Sequence, residues 1–433
     1  MGGGAFGSGA DAPFTPRMPP DVYRKVRDNC HAALRQIFTY VATPIEGPGK
    51  KDHGDIDVLV AGERQLAFPA GAQDTEPRSL PDLFAGIKGV LRVHHSNTVG
   101  NTGNFAIPWP AEPGGLSAIP TGSADVEASG EETNRPRYIQ VDVQICRDFD
   151  GLTWRLFKHA HGDIWNILGS TIRPFGLILD EDAMWLRIPE IEKIDKKKAK
   201  VLLSSDPTEV LHFLGLEVEG FWTEPFPTVE ALFEYATTCR LFWVSPRRED
   251  EDVADLGAEG DEAKKKLKSN DRRRMRYRPI FRIWVEEYIP ALRAGNKFVA
   301  KTGTPPESRD TVRDQAFAWF YIEQEYEDRL KEWRSKRSVD EMKRFLKEVI
   351  PIDLENNYRA ALSGAMRKII IEGDESFGVT PPAAVRDRYG VFDKGVVRDF
   401  IKQNLQGVGR KAWDRQCQRA REAMEGKAKG RGK

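Results

Sequence analysis

The sequence predicts an α+β protein in which a small domain with a mixed β-sheet precedes a largely α-helical region. Two segments with strand character, DIDVLV and RYIQVDVQIC, lie in the first third of the 433 residues. Beyond them, apolar residues recur mainly at spacings of three and four, which is typical of amphipathic helices. A chain of this length exceeds one ordinary core, so two or three domains are expected.

The composition favours a soluble, globular chain, with 40% hydrophobic and 30% charged residues and a formal net charge of zero. No run reaches the roughly 18 apolar residues that a membrane span requires. Residues 1–18 lack the basic region and the apolar core of a signal peptide, and they are predicted as a flexible tail. The four cysteines form no close pair, which favours a reducing compartment. We therefore expect a cytoplasmic or nuclear protein that is not secreted and has no membrane partner.

Charge is unevenly distributed along the chain. Residues 246–271 are first acidic and then basic, which predicts a linker. Residues 394–433 contain 12 Lys and Arg against 4 Asp and Glu. The last part of this stretch, residues 425–433, is predicted as a basic tail.

The N-terminal part is predicted to contain one helix followed by four strands. Residues 19–41 are predicted as one amphipathic helix, with Asp21 as a candidate cap. After DIDVLV, the segment KGVLRVHHS predicts a second strand and NFAIPW a third, joined by the turn NTVGNTG. Residues 110–136 are rich in Pro, Gly, Ser and Glu and are predicted as a surface insertion before the strand RYIQVDVQIC.

Helices are expected to dominate the rest of the chain. Residues 151–245 form a predicted helical companion region, interrupted by a hairpin in FGLILDEDAMWLRI. Within it, Asp206-Pro-Thr-Glu209 predicts a capped helix start. Residues 272–424 form the predicted helical C-terminal region, which includes one long helix over residues 311–334.

Three aspartates on two predicted strands form the candidate site. Alternate side chains of a strand share a face, so Asp55 and Asp57 lie opposite Ile56 and Val58. Two carboxylates on one face repel each other, and a bound cation removes that repulsion. Asp142 is the single acidic residue of the alternating strand RYIQVDVQIC. With Asp55 and Asp57, it would complete a set of carboxylate oxygen ligands of the kind that Mg²⁺ or Mn²⁺ prefers.

Such a triad suits chemistry on a nucleoside triphosphate. Two divalent ions about 3.5–4 Å apart can bind the α-phosphate, activate an attacking hydroxyl and neutralise the leaving pyrophosphate. The turn GPGKKDHG suits a phosphate cradle, because glycines allow close backbone approach and lysines add positive charge. Its candidate nucleotide-binding residues are Gly47, Gly49, Lys51, His53 and Gly54, with Lys50 as an alternative to Lys51.

At these residues the chain resembles the nucleotidyltransferase superfamily, which includes DNA polymerase β, poly(A) polymerases and terminal uridylyltransferases. GDIDVLV is similar to the family's Asp-x-Asp strand, and IQVDVQIC is similar to its strand with a third aspartate. Pro48 stands where the family's Gly-Ser turn has serine. The resemblance is specific over about residues 40–145 and implies a nucleotidyltransferase domain at residues 19–150.

The resemblance also implies an activity. A nucleotidyl group would move from ATP or another nucleoside triphosphate to an acceptor hydroxyl on an RNA 3′ end, a protein or a small molecule. Asp55 and Asp57 would bind both metal ions, and Asp142 the ion that serves the acceptor. Two other hypotheses stay open. The chain could be a catalytically inactive nucleotide- or RNA-binding protein that keeps the fold, or a helical interaction scaffold with an αβ cap.

Other polar residues carry weaker predictions. The segment NTVGNTGNF could line a nucleotide pocket, although a plain hairpin turn is favoured. Four other histidines are interpreted as loop or capping residues: His94, His95, His159 and His161.

A basic cluster follows the predicted linker. The segment RRRMRYRP places five arginines within seven residues, with Tyr277 among them. Arginine pairs with phosphate and an aromatic ring stacks on a base, so the cluster is a candidate RNA contact. A helix flank or a nuclear import signal is equally consistent with it. The candidate RNA-binding residues are Arg272, Arg273, Arg274 and Arg276.

Overall fold

The computed structural model describes most of the chain, and its fold is α+β, as predicted. A five-stranded mixed sheet and a three-stranded sheet are followed by a helical C-terminal region. Most of the predicted insertion and most of the predicted linker lie outside the described residues. The described residues are 4–6, 12–64, 78–110, 135–246, 269–300, 303–387 and 389–430.

The elements follow one another in this order. The first are α1 Pro20–Leu34, β1 Phe38–Ala42, β2 Asp55–Glu63, α2 Leu80–Leu91, β3 His95–Val99, β4 Thr102–Pro108 and β5 Tyr138–Ile145. The next are α3 Phe149–His159, α4 Ile164–Ile172, β6 Leu177–Leu179, β7 Met184–Arg187, α5 Pro189–Glu192, β8 Lys200–Ser204, α6 Pro207–Leu214, α7 Glu219–Thr223 and α8 Val229–Thr237. The last are α9 Ser269–Tyr277, α10 Pro279–Ile283, α11 Ile289–Ala294, α12 Arg309–Phe320, α13 Glu323–Val349, α14 Asn356–Arg367 and α15 Lys394–Gly430. Short 3₁₀ turns occur at Arg173–Phe175, Glu375–Phe377 and Ala383–Val385, and π-helical turns at Trp284–Tyr288 and Lys368–Glu372.

The larger sheet has the strand order β1-β2-β5-β4-β3. Its central pair, β2 and β5, is parallel, whereas the other neighbouring pairs are antiparallel. Helices α1 and α2 pack on one face, where Ile56, Val58, Val141 and Val143 are fully buried in a common core. The opposite face therefore carries the alternate side chains of β2 and β5, among them the three aspartates.

Residues 12–18, predicted as part of the flexible tail, instead make ordered contacts with this domain. Phe14 forms an isolated bridge to Arg137, and Met18 forms one to His53. The side chain of Met18 is fully buried in the core. The N-terminal segment thus extends the fold beyond α1.

The predicted helix over residues 19–41 is wrong in its second half. Helix α1 ends at Leu34, and Phe38–Ala42 form β1, which pairs with β2. Phe-Thr-Tyr-Val is rich in residues that favour strands, and the neighbouring strand decides the outcome. Asp21 is not a cap, because the N-cap position is held by Pro19 and has no side-chain hydrogen bond.

The predicted strand KGVLRVHHS is mostly wrong. Its first half belongs to α2, which begins after Ser79, whose hydroxyl accepts a hydrogen bond from the Asp82 N–H. Leu83, Ile87 and Leu91 bury the apolar stripe of that helix, so only the last two residues of the segment, His95 and Ser96, belong to β3. The expected β3–β4 hairpin is confirmed.

The predicted single helix over residues 311–334 is two helices. Tyr321 adopts a left-handed conformation with φ 56° and ends α12, and α13 begins at Glu323. The hairpin in FGLILDEDAMWLRI is confirmed as β6 and β7, which pair with β8 in the smaller sheet.

The chain forms two compact units. One comprises Met1–Arg187 with Lys200–Tyr321, and the other comprises Ile188–Ala199 with Ile322–Lys433. The second unit has its own core, to which Leu346, Met366, Ile369 and Ile401 contribute. The domain boundaries near residues 150, 245 and 271 stay predictions. Within the described residues, no helix combines the length and the apolar character that a bilayer crossing requires.

The cap of α6 provides a test of local stability. The Asp206 carboxylate accepts hydrogen bonds from the N–H groups of Thr208 (2.7 Å) and Glu209 (3.2 Å), as the sequence predicts. Asp206→Ala should lower the free energy of unfolding in urea by about 1 kcal/mol. Asp21→Ala is the matched control and should cost no more than about 0.5 kcal/mol, since that carboxylate only faces a helix dipole. Equal losses would contradict the capping role.

Candidate functional site

The three predicted aspartates lie together on the face of the sheet that α1 and α2 leave uncovered. Asp57 lies directly opposite Asp142 on the parallel pair, and Asp55 lies opposite Gln140. Residues in register on neighbouring strands share a face. One carboxylate oxygen from each of the three aspartates lies within 4.8 Å of those of the other two. Among the described residues, no other three side chains of His, Cys, Asp or Glu converge in this way.

The protein makes these carboxylates hard to ionise together. The pKa of Asp57 is raised to about 6, first because burial removes water from the carboxylate and then because Asp55 repels its charge. The pKa of Asp142 is raised to about 7 by burial and by the charge of Asp57. Asp57 still has exposed surface, so a cation from solvent can reach it. A bound cation or a proton therefore reduces the repulsion between the carboxylates of the triad.

Gln140 orients the third aspartate. Its Nε2 donates to both carboxylate oxygens of Asp142, each at 2.9 Å. Its Oε1 accepts a hydrogen bond from the backbone N–H of Ala5 at 3.1 Å. Because Gln140 is 2% exposed, its rotamer is fixed by packing. Sequence reasoning missed this role, although the position of Gln140 two residues before Asp142 was the signal that could have shown it.

Two asparagines extend the row of polar side chains across the sheet. Asn104 on β4 lies opposite Asp142, and Asn97 on β3 lies opposite Asn104. The turn of this hairpin is only Gly100 and Asn101, so both asparagines belong to strands and share the face of the triad. A contact between this hairpin and a nucleotide stays a prediction.

The turn before Asp55 has a buried base and an exposed tip. Gly47 is buried, and a Cβ built on it would lie 3.6 Å from the Cα of Gly162. Gly54, at the other end, is also buried. At the tip, Gly49 has φ 66° with open space around it, and Lys51 is exposed. The tip therefore offers backbone and positive charge to solvent.

Glu46 fixes the remaining lysine of this turn. One of its oxygens pairs with Lys50, and the other accepts a hydrogen bond from the Tyr23 hydroxyl. Burial and the charge of Glu46 raise the pKa of Tyr23, so the phenol stays protonated. Lys51 is consequently the better-placed of the two lysines for a ligand.

His53 is placed in the interior of the turn. It is 6% exposed, and its ring stacks on Tyr23 with centroids 3.7 Å apart. Its backbone exchanges two hydrogen bonds with Met18, at 2.7 and 2.9 Å. The structure gives His53 a packing role, and a phosphate contact for its ring stays a prediction.

Of the four other histidines with predicted roles, His94 and His161 lie outside helices and strands, as expected of loop residues, whereas His95 begins β3 and His159 ends α3. His94 and His95 contact the ring of Tyr138, with centroids 5.6 and 5.1 Å away. His159 lies 3.6 Å from Glu181, and its charge opposes the rise in the pKa of Asp57. His161 is fully buried at the junction of α3 and α4.

The chain matches no protein-family model and no curated protein.

The donor set fits a hard divalent cation. It consists of carboxylate oxygens without histidine or cysteine, which suits Mg²⁺ or Mn²⁺ rather than zinc. Burial first, and the neighbouring carboxylates second, raise the pKa values of Asp57 and Asp142, and a bound cation would offset both effects. Asp55, Asp57 and Asp142 are thus the residues that would hold such an ion.

The triad should make stability fall as pH rises in the absence of metal. Asp142 has an ordinary pKa of 3.8 and a raised value of about 7 in the folded protein, so the unfolded chain loses this proton first. Stability from the protonated group is complete below about pH 4 and is lost as pH rises to about 7. Wild-type protein should lose about 2 kcal/mol more than Asp142→Asn across this window, after allowance for solvent screening.

Urea unfolding in EDTA at several pH values measures this difference. Because both proteins share every other titrating group, only the triad separates the two curves. Parallel curves for wild type and Asp142→Asn would show that folding does not raise the pKa of Asp142.

Proposed function

We propose that this chain is a metal-dependent nucleotidyltransferase, which transfers a nucleotidyl group from ATP or another nucleoside triphosphate to an acceptor hydroxyl. One observation carries the proposal: the carboxylates of Asp55, Asp57 and Asp142 converge within 4.8 Å on the open face of a parallel strand pair. Such a group is costly to the metal-free protein and is the donor set that Mg²⁺ or Mn²⁺ needs beside a triphosphate.

The three aspartates have different neighbours, which supports different roles. Asp57 lies beside both other carboxylates, because it shares a strand face with Asp55 and is in register with Asp142. It is the residue best placed to contact two cations. When bound, two divalent ions would neutralise phosphate charge and lower the pKa of the attacking hydroxyl. Asp142, which Gln140 holds at both oxygens, lies on the side of Asn104 and is placed to orient the acceptor hydroxyl.

The turn before Asp55 supports triphosphate binding. Its exposed tip presents the backbone of Gly49 and the side chain of Lys51 close in sequence to the triad. Backbone N–H groups and a lysine are common ligands of phosphate oxygens. The buried Gly47 and Gly54 would support the cradle from its base.

A nucleotide- or RNA-binding protein without turnover is the second candidate. The observation that favours it is Pro48, which offers no hydroxyl or N–H to a phosphate where the family has serine. Retention of all three carboxylates favours catalysis. Mg²⁺-dependent binding of a nucleoside triphosphate would count against a plain helical scaffold, and turnover would separate the enzyme from the binding protein.

A cytoplasmic or nuclear location is part of the proposal. It is supported by the cysteines, all four of which are free thiols, three of them buried: Cys30, Cys146, Cys239 and Cys417.

Removing one negative charge from the triad tests the enzymatic role. Asp57→Asn should reduce nucleotide incorporation by at least about 100-fold, because it removes the ligand shared by both cations. Asp142→Asn should reduce incorporation more than it weakens triphosphate binding. The melting temperature without metal should hold or rise in both variants, since repulsion is relieved.

The measurement uses each labelled nucleoside triphosphate with Mg²⁺ or Mn²⁺ and mixed RNA and protein acceptors. Asp150→Asn, an exposed aspartate at the start of α3, is the matched control and should retain full incorporation. Full incorporation by Asp57→Asn would contradict the proposed catalytic role of the triad. Wild-type binding without incorporation would favour the non-catalytic protein.

The basic cluster is proposed as an RNA contact. Arg273 and Arg276 are exposed on α9, and the Arg276 guanidinium lies 5.2 Å from the centroid of the exposed Tyr277 ring. Arg278 instead pairs with the buried Asp163 at 3.4 Å and is better interpreted as structural. The side chains of Arg272 and Asp271 lie outside the described residues.

Replacing Arg273 and Arg276 by Ala should weaken RNA binding and reduce the salt slope, log Kd against log salt, by roughly 1–2 units. Fluorescence anisotropy with a labelled single-stranded RNA measures both quantities. The control replaces Lys336 and Arg337, exposed basic residues on α13 that already pair with Glu332 and Glu341. An unchanged salt slope would leave only the structural and import-signal interpretations.

A further inference from the structure

The junction of α3 and α4 adopts an unusual backbone conformation. His161 has φ 54° and Gly162 has φ 66°, so two consecutive residues are left-handed. A non-glycine residue is strained in this region and needs support from its surroundings. His161 has that support, because it is fully buried and its backbone N–H donates to the carbonyl oxygen of Ile45 at 2.8 Å.

The imidazole of His161 is also held in one orientation. Its Nε2 lies 2.7 Å from the carbonyl oxygen of Phe221, which can only accept, so Nε2 carries the proton. The rings of Phe221 and Phe226 lie against it, with centroids 4.8 and 4.5 Å away. Burial lowers the pKa of His161, which keeps the ring neutral.

Gly162 brings the junction into backbone contact with the turn before Asp55. A Cβ built on Gly162 would lie 3.4 Å from the Cα of Gly47, and one built on Gly47 would lie 3.6 Å from the Cα of Gly162. Ile45 and Gly47 therefore both rest on the junction, one through a hydrogen bond and the other through van der Waals contact.

Helix α3 places this junction relative to the sheet. Leu152 and Leu156 of α3 pack on Leu59 and Ala61, which lie further along β2 from the triad. The junction is thus fixed to the same strand that carries Asp55. The carboxylates themselves depend on strand register, whereas the base of the turn depends on the junction.

We propose that His161 and Gly162 are positioning residues for the triphosphate-binding turn, acting through Ile45 and Gly47. They hold the base of the turn so that its tip at Gly49 and Lys51 keeps a fixed place beside the triad. This inference rests on the proposed function, because it takes the turn to be the phosphate cradle. In this proposal, the strand register fixes the positions of the carboxylates, and the junction fixes the position of the phosphate cradle.

Gly162→Ala tests the backbone contact. Alanine is strained at φ 66°, and its methyl group would lie 3.4 Å from the Cα of Gly47, so the junction cannot shift without moving the turn. KM for the nucleoside triphosphate should therefore rise about tenfold while kcat changes by less than about threefold. Gly373→Ala is the matched control, because Gly373 has a similar φ of 71° and nothing within 4 Å of its Cβ position. It should change neither constant. A fall in kcat at unchanged KM would overturn the proposal.

His161 is tested with two substitutions that differ in hydrogen bonding. His161→Gln keeps an N–H donor that can reach the Phe221 carbonyl, whereas His161→Leu keeps apolar volume without a donor. His161→Leu should raise KM for the triphosphate about tenfold, and His161→Gln should restore most of the loss. If both variants only lower the melting temperature and leave KM unchanged, His161 is merely structural and the proposal is wrong.

Hydrogen exchange supplies a readout that does not need turnover. In Gly162→Ala and His161→Leu, amide exchange should accelerate in residues 45–54 and stay unchanged in residues 138–145. Unchanged exchange in residues 45–54 would overturn this inference even for an active enzyme. A wild-type protein that binds no nucleoside triphosphate with Mn²⁺ would overturn the proposed function instead, and the exchange data would still report on the junction.

Discussion

The parallel register of β2 and β5 controls the candidate site. It sets Val58 against Val143 in the core and, one residue earlier on each strand, Asp57 against Asp142 on the open face. Because side chains alternate, burial of the apolar set and convergence of the acidic set are one event. A slip by one residue in one strand would place a carboxylate among the aliphatic side chains.

Magnitudes explain why the fold accepts this repulsion. Each fully buried aliphatic side chain contributes about 1.5–3 kcal/mol to the stability of the fold, and five of them line the core face of the strand pair. Two carboxylates about 5 Å apart repel by roughly 3 kcal/mol at an effective dielectric constant near 20. The core of the strand pair therefore outweighs the crowding above it. The five side chains are Ile56, Val58, Val60, Val141 and Val143.

Local patterns predicted the parts of the site that depend on local geometry. The alternation of β2 and β5 was enough to assign Asp55, Asp57 and Asp142 to one face, and Asp206 was recognisable as a cap. The remaining features depend on partners distant in sequence. Phe38–Ala42 is a strand because β2 lies beside it. Likewise, the left-handed His161 exists because Ile45 and Phe221 hold it, and no spacing in the sequence encodes that contact.

The order of the strands along the chain has a consequence for folding. β2 and β5 are neighbours in space, yet α2 and the whole β3–β4 hairpin lie between them in sequence. Pairings between distant segments form slowly, because the loop must close before the contacts are gained. Until β5 docks, Asp142 is separate from Asp55 and Asp57, and the three carboxylates do not yet form one group. Any divalent cation that binds the assembled triad therefore favours the folded chain by mass action, and its free concentration becomes a variable of folding.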